Sequence, residues 1–159
     1  MLKQLILAGA IIFCLSFTET VYSQNYMAED DVPILVRNSF YDNYAGSYNI
    51  DKGVRWINDF GNTFTVEYHK EGLINRITYD ENGSIARTET QIEVSTLPYI
   101  IRDNFIVEYP NVKIYYTGVI DDAINGTLYR LGYSPADASP DSPRTYIYYR
   151  GDGTTYIWK

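Results

Sequence analysis

Few side chains in this chain are of the types that carry out catalysis. His69 is the only histidine and Cys14 the only cysteine. A Ser-His-Asp triad needs an imidazole aligned with an exposed serine, and no serine here sits in a nucleophile-elbow sequence. His69 falls on the polar side of a strand pattern beside Lys70-Glu71-Gly72, where a solvated strand-end residue is the simpler reading. Zinc needs more histidine or cysteine than the chain has. Asp80-Glu81-Asn82-Gly83 and Asp121-Asp122 offer carboxylates, but not the spaced oxygens and closing glutamate of a calcium loop. Both read as turns. A glycosidase acid pair needs only two carboxylates meeting in space, and nothing in the sequence favours one. The expectation is a protein without catalytic residues, metal or cofactor.

Tyrosine is the side chain in excess, at seventeen, and tyrosines crowd the C-terminal half. In 146–150 the period is two, so Tyr146, Tyr148 and Arg150 share one face and Ile147 and Tyr149 the other. Tyr156 and Trp158 share a face on the last strand, and Tyr115 is a further candidate. Tyr, Trp and Arg on an uncovered sheet face have the composition of a protein-binding hot spot. The same rings are good strand formers that cover a sheet, and they also stack on sugars. Protein contact, coverage by loops or self-association, and plain surface are all compatible with these residues.

The elements that must position these residues recur. Residues 32–44 return as 97–109 at a constant offset of 65, with Pro33/Pro98, Arg37/Arg102, Phe40/Phe105 and Tyr44/Tyr109 identical. Val36, Phe40 and Tyr44, like Ile101, Phe105 and Tyr109, are spaced as one helical face, which Leu35 and Ile100 widen. Asp31 and Thr96 are candidate N-caps, and a proline in the first turn is tolerated. After each helix the period changes to two. Strands are expected over 54–57, 64–68, 73–79 and 84–94, then over 112–120, 127–133, 144–150 and 154–159. Tyr149-Arg150-Gly151-Asp152-Gly153 echoes Tyr79-Asp80-Glu81-Asn82-Gly83 at an offset of 70. The prolines of 134–143 mark an exposed insertion that accounts for the extra five residues. The expected fold is α+β: tandem helix-plus-four-strand repeats, 31–94 and 96–159, forming one antiparallel sheet of about eight strands. Both helices lie on one face, and the other is left open. With Ile147 and Tyr149 matched to Ile77 and Tyr79, Tyr146, Tyr148 and Arg150 fall on that open face.

Residues 1–23 read as a secretory signal, with Lys3 before an apolar run from Leu5 to Phe17 and cleavage expected before Gln24. Residues 24–30 read as a flexible leader, and 31–159 as a single domain. No membrane span is expected after cleavage, and the mature chain keeps no cysteine, so packing rather than disulfides must hold it together. A bacterial periplasm or cell surface suits it. The net charge of −7 argues against nucleic acid and anionic lipid as partners.

The order of helix and strands used twice, the Val32-Pro33 and Leu97-Pro98 openings, Phe40 and Tyr44, Phe105-x-x-x-Tyr109-Pro110, Trp56 and the Tyr79-to-Gly83 turn together resemble the PepSY-like family of Bacteroidetes envelope proteins. That family is related to the β-lactamase-inhibitor-protein fold. The chain departs from the pattern at Tyr44-Ala45, where an aromatic-proline pair is usual, and in the loop over 134–143. The resemblance implies a non-enzymatic envelope domain that binds or inhibits another protein. It names no partner, which is expected to be an envelope or secreted protein. The second reading is a carbohydrate or peptidoglycan binder that stacks sugars on Tyr and Trp.

Overall fold

The computed structural model describes residues 26–45, 53–59, 61–139, 142 and 144–158. The expected signal segment and its cleavage point lie outside them. Nine strands form one sheet whose spatial order is the chain order: β1 (Tyr26–Met27), β2 (Val54–Asp59), β3 (Thr63–Lys70), β4 (Leu73–Asp80), β5 (Ile85–Gln91), β6 (Val112–Asp122), β7 (Gly126–Pro135), β8 (Thr145–Arg150) and β9 (Thr155–Tyr156). Every neighbouring pair is antiparallel. Helix α1 (Ile34–Phe40) falls between β1 and β2, and α2 (Tyr99–Glu108) between β5 and β6. Eight strands were expected. The ninth, β1, comes from the segment read as a flexible leader: Tyr26 and Met27 pair with Ile57 and Trp56.

Each helix begins immediately after its proline. Pro33 and Pro98 occupy the N-cap positions, with extended ψ values of 136° and 132°. A residue before proline is held out of the helical region, so Val32 and Leu97 cannot extend the helices backwards. Asp31 and Thr96 are therefore not the caps expected of them. Each ends a short 3-10 turn, Glu29–Asp31 or Val94–Thr96, and the Thr96 hydroxyl donates to the Glu93 carbonyl at 2.7 Å. Regular α-helix in α1 stops at Phe40, where a wider π-type turn, Tyr41–Ala45, takes over.

The buried stripes run Val32, Val36, Phe40 and Leu97, Ile101, Phe105. Leu35 and Ile100, expected to widen them, are exposed instead. The stripe gains its width backwards, through the residue before each proline. Under α1 lie Trp56, Val66, Tyr68, Ile77 and Tyr79; under α2 lie Leu131 and Tyr149, flanked by Tyr129, Tyr133 and Ile147. Phe40 and Phe105 are sealed from water, and each such ring contributes roughly 1.5–3 kcal/mol. Cross-strand register puts both clusters on one face: Tyr68 opposes Asn75, Asn75 opposes Thr90, Thr90 opposes Val119, and the row continues through Tyr129 to Tyr149.

A hairpin tip is fastened to each helix in the same way. The Ser39 hydroxyl donates to the Gly83 carbonyl at 2.7 Å, and the Asn104 amide donates to the Gly153 carbonyl at 3.0 Å. Both glycines have φ near +80°. A Cβ on Gly83 would lie 2.7 Å from the Leu35 carbonyl oxygen, and one on Gly153 2.8 Å from Asn104 Nδ2. Only glycine fits either place. The expected loop over 134–143 starts later than its sequence suggests, because Ser134 and Pro135 still pair with Lys113 and Val112 in β7.

Candidate functional site

The face away from the helices is built by one row of directly opposed residues. Arg55 faces Glu67, Glu67 faces Arg76, and Arg76 faces Glu89; the row then continues through Ile120 and Leu128 to Arg150. Each charged residue sits at the position that period two turns away from the helices, so the signs alternate across four strands. Arg55 approaches Glu67 at 2.9 Å, Arg76 approaches the same carboxylate at 2.6 Å, and Arg76 reaches Glu89 at 3.5 Å. Glu67 and Glu89 are buried, at 4% and 7% exposure. Charges this deep persist only when paired.

Two strand glycines let the row extend sideways. Gly118 lies opposite Arg130 and beside Glu89's strand. With no side chain there, Arg130 meets Glu89 across β6 at 2.8 Å, and the Tyr116 hydroxyl donates to the same carboxylate at 2.7 Å. A Cβ on Gly118 would sit 2.8 Å from both Glu89 Oε1 and the Tyr116 hydroxyl. Gly132 makes the same concession to Tyr146, whose ring carbon would lie 2.7 Å from its Cβ. Glycine inside a strand here marks close approach. Arg130 is stacked between rings, 4.9 Å from the Tyr116 centroid and 5.0 Å from that of Tyr146. Burial opposes its charge, but Glu89, Tyr148 and Tyr116 together hold its pKa above the ordinary value. Burial and then Glu89 push the Tyr116 phenol up, against the pull of Arg130 and Arg76.

The residues expected to form a binding surface are placed as follows. Tyr146, Tyr148 and Arg150 share the helix-free face with Arg130, and Tyr156 opposes Tyr148, which puts Tyr156 there too. Trp158 packs edge-on against Tyr148 and Tyr156, at 5.7 and 5.2 Å. Arg150 lies 4.8 Å over the Tyr156 ring. Tyr115 sits at the bulge in β6, where the register shifts between Ile114 and Tyr116. Its ring takes the Lys113 ammonium at 5.1 Å and the Arg144 guanidinium at 5.3 Å. Tyr115 is thus a second cation–aromatic cluster on β6.

The face is less open than alternation alone suggests. Arg87 on β5 stacks 5.1 Å from Trp158, beyond β9, so the two meet above the strands between them. Ile120 and Leu128 lie on that face between them and are sealed. Arg87 also donates to Thr78 at 3.2 Å and approaches Asp59 at 3.6 Å. Glu89, Arg76, Arg130 and Tyr116 are not among the residues expected at this face. For Arg76 and Glu89 the one sequence signal is a charge of alternating sign at a polar-face position on each of β2 to β5; Arg130 and Tyr116 lie outside that row and have none.

Among the described residues, no group of three or more His, Cys, Asp or Glu side chains could hold a metal ion. No helix among them is long and apolar enough to cross a membrane.

No protein-family model matches the chain, and no curated protein matches it in sequence. Solved structures do share its fold. A DUF2874 family protein from Bacteroides uniformis superposes with a TM-score of 0.63 at 14% identity, over 79% of this chain and 86% of that one. A protein from Bacteroides eggerthii provisionally described as periplasmic gives 0.63 at 12% identity, over the same shares. A BLIP-like protein from Bacteroides fragilis gives 0.53 at 14% identity, over 79% of this chain and 83% of that one. The likeness is one of fold: an α+β BLIP-like sheet with two short helices.

Proposed function

We propose that this chain is an exported, non-enzymatic envelope protein that grips another protein through the helix-free face of its sheet. The observation that carries this reading is the gathering of Tyr146, Tyr148, Arg150, Tyr156 and Trp158 on that face. These are the side chains that dominate protein-binding hot spots. They stand on a floor pinned by ion pairs, so little side-chain entropy is left to lose on binding. The apolar run at 5–17 supports export, and the description of the B. eggerthii neighbour as periplasmic is in keeping with it. The resemblance to PepSY-like proteins points the same way.

The same reading takes the domain to be two tandem helix-plus-strand repeats. Three matched features support it: the Ser39–Gly83 and Asn104–Gly153 hydrogen bonds, the aromatic sets Phe40, Tyr44, Tyr68 and Phe105, Tyr109, Tyr133, and the buried Tyr79 and Tyr149.

The test is capture of solubilised envelope proteins on the immobilised mature chain, beside Tyr146→Ser/Tyr148→Ser and Arg150→Ala, each shown by circular dichroism to be folded. A protein retained by the parent and lost from both variants is the expected result. Equal retention by all three would place the contact elsewhere. Retention of glycan and not protein would favour the sugar-binding reading.

A further inference from the structure

Resting on that reading, we infer that the partner presents an acidic protein surface to the helix-free face. The chain as a whole is acidic, with 20 carboxylates against 13 cations, yet its cations are gathered on one side. Of the ten described lysines and arginines, strand register and alternation put all but Arg37, Lys70 and Arg102 on that side, Arg144 at its edge over Tyr115. Arg76 and Arg130 form the floor of this face, and Arg55, Arg87, Lys113, Arg144 and Arg150 stand around it. The carboxylates belonging to it are outnumbered by these seven cations and already committed. Glu67 and Glu89 bind the floor arginines, and Asp59 is taken by Arg87 and Thr65. Asp80 and Asp122, at the strand ends, turn their oxygens onto hairpin amides, and Asp152, which feels the charge of Arg150, does the same with Thr154.

Surplus positive charge is therefore left at the margin. Lys113, Arg144 and Arg150 are exposed and rest on tyrosine rings, Tyr115 for the first two and Tyr156 for the third. A cation that rests over a ring can still offer its N–H donors to a carboxylate. The remaining surface is strongly negative. A long polyanion such as a nucleic acid would leave the basic face and meet that repulsion, whereas a compact acidic patch on a protein would not. Charge complementarity confined to one face favours the protein.

The experiment is selection of displayed twelve-residue peptides on the intact mature chain at low and at physiological salt, with the winners titrated individually. Expected is enrichment of Asp and Glu beside aromatic residues. Binding should weaken at least tenfold in Lys113→Glu/Arg144→Glu/Arg150→Glu and less in the corresponding triple Gln variant, which also serves if the Glu variant does not fold. Arg102→Glu, off this face, should bind as the parent does. Enrichment of neutral or basic peptides overturns the proposal. So does equal binding by the Glu and Gln triples and the parent, or displacement of the acidic peptides by heparin at lower concentration than by polyglutamate. Loss in Tyr146→Ser/Tyr148→Ser with no loss in the charge variants defeats the acidic partner and keeps the face. No loss in either set defeats both.

Discussion

Ile101 and Glu89 are both almost sealed from water, on opposite faces of the same sheet. Ile101 belongs to α2 and is buried where that helix lies on the strands. Its neighbours ask only for shape, and leaving water is itself the gain. Glu89 is buried by its own row and loses hydration that must be replaced bond by bond. Arg76, Arg130 and Tyr116 together supply the replacement. The helix side can therefore drift in sequence while apolar volume is kept. The other side is fixed by pairs, and each member depends on the next. A rigid face of this kind suits recognition, since its charges and rings hold their positions before any partner arrives.

The largest test of this contrast pairs two shape-conserving substitutions. Ile101→Leu should cost less than about 1.5 kcal/mol. Glu89→Gln keeps the outline of the side chain but leaves the buried Arg130 guanidinium without its counter-charge and Arg76 with Glu67 alone, and should cost about 3–5 kcal/mol. Urea unfolding of both variants gives the difference directly. A Glu89→Gln variant as mild as Ile101→Leu would mean that water already solvates the row, and the contrast between the faces would collapse.

Phenols sharpen it further. Tyr149 on the helix side has a buried hydroxyl with no hydrogen-bond partner, whereas the Tyr116 hydroxyl donates to Glu89. Tyr149→Phe should therefore be neutral or slightly stabilising at neutral pH, and Tyr116→Phe should cost about 1.5–3 kcal/mol, as expected for a hydrogen bond to a charge. Burial, with Glu108 and Tyr133, pushes the Tyr149 phenol up to about 12. The folded state thus holds this proton more tightly than the unfolded chain, whose phenols titrate near pH 10. Its contribution is whole below about pH 10 and is lost as pH climbs towards 12. Thermal midpoints measured against pH should fall across that window, and Tyr149→Phe should make the fall shallower.

Local periodicity was enough to place Tyr146, Tyr148 and Arg150, because a single strand decides them. It was also enough for Phe40 and Phe105, because one helix face does. It failed where the answer depends on partners distant in the chain. Glu89 and Arg130 are 41 residues apart and meet only because β5 and β7 flank a glycine in β6. No strand read alone contains that information. Leu35 and Ile100 misled because the prolines shift the helix starts, so the stripe draws on Val32 and Leu97 instead. Met27 misled in another way: its segment is polar, and only pairing with Trp56 makes it a strand.

The smallest effect concerns what holds the helices to the sheet, and it treats the two halves as equals. Ser39→Ala removes the donor to the Gly83 carbonyl, and Asn104→Ala the donor to the Gly153 carbonyl. Each bond is part-buried, so each loss should cost about 0.5–1.5 kcal/mol. The two sites share no partner, so the double variant should show the sum. Amide hydrogen exchange locates the damage. Ser39→Ala should speed exchange at Gly83, whose N–H closes its turn on Asp80, and Asn104→Ala at Gly153, whose N–H closes on Arg150. Acceleration confined to the matching turn would show that each helix clamps only its own hairpin. Acceleration at both turns from one substitution would show instead that the sheet opens as a single unit, with the charged row carrying the disturbance from one half to the other.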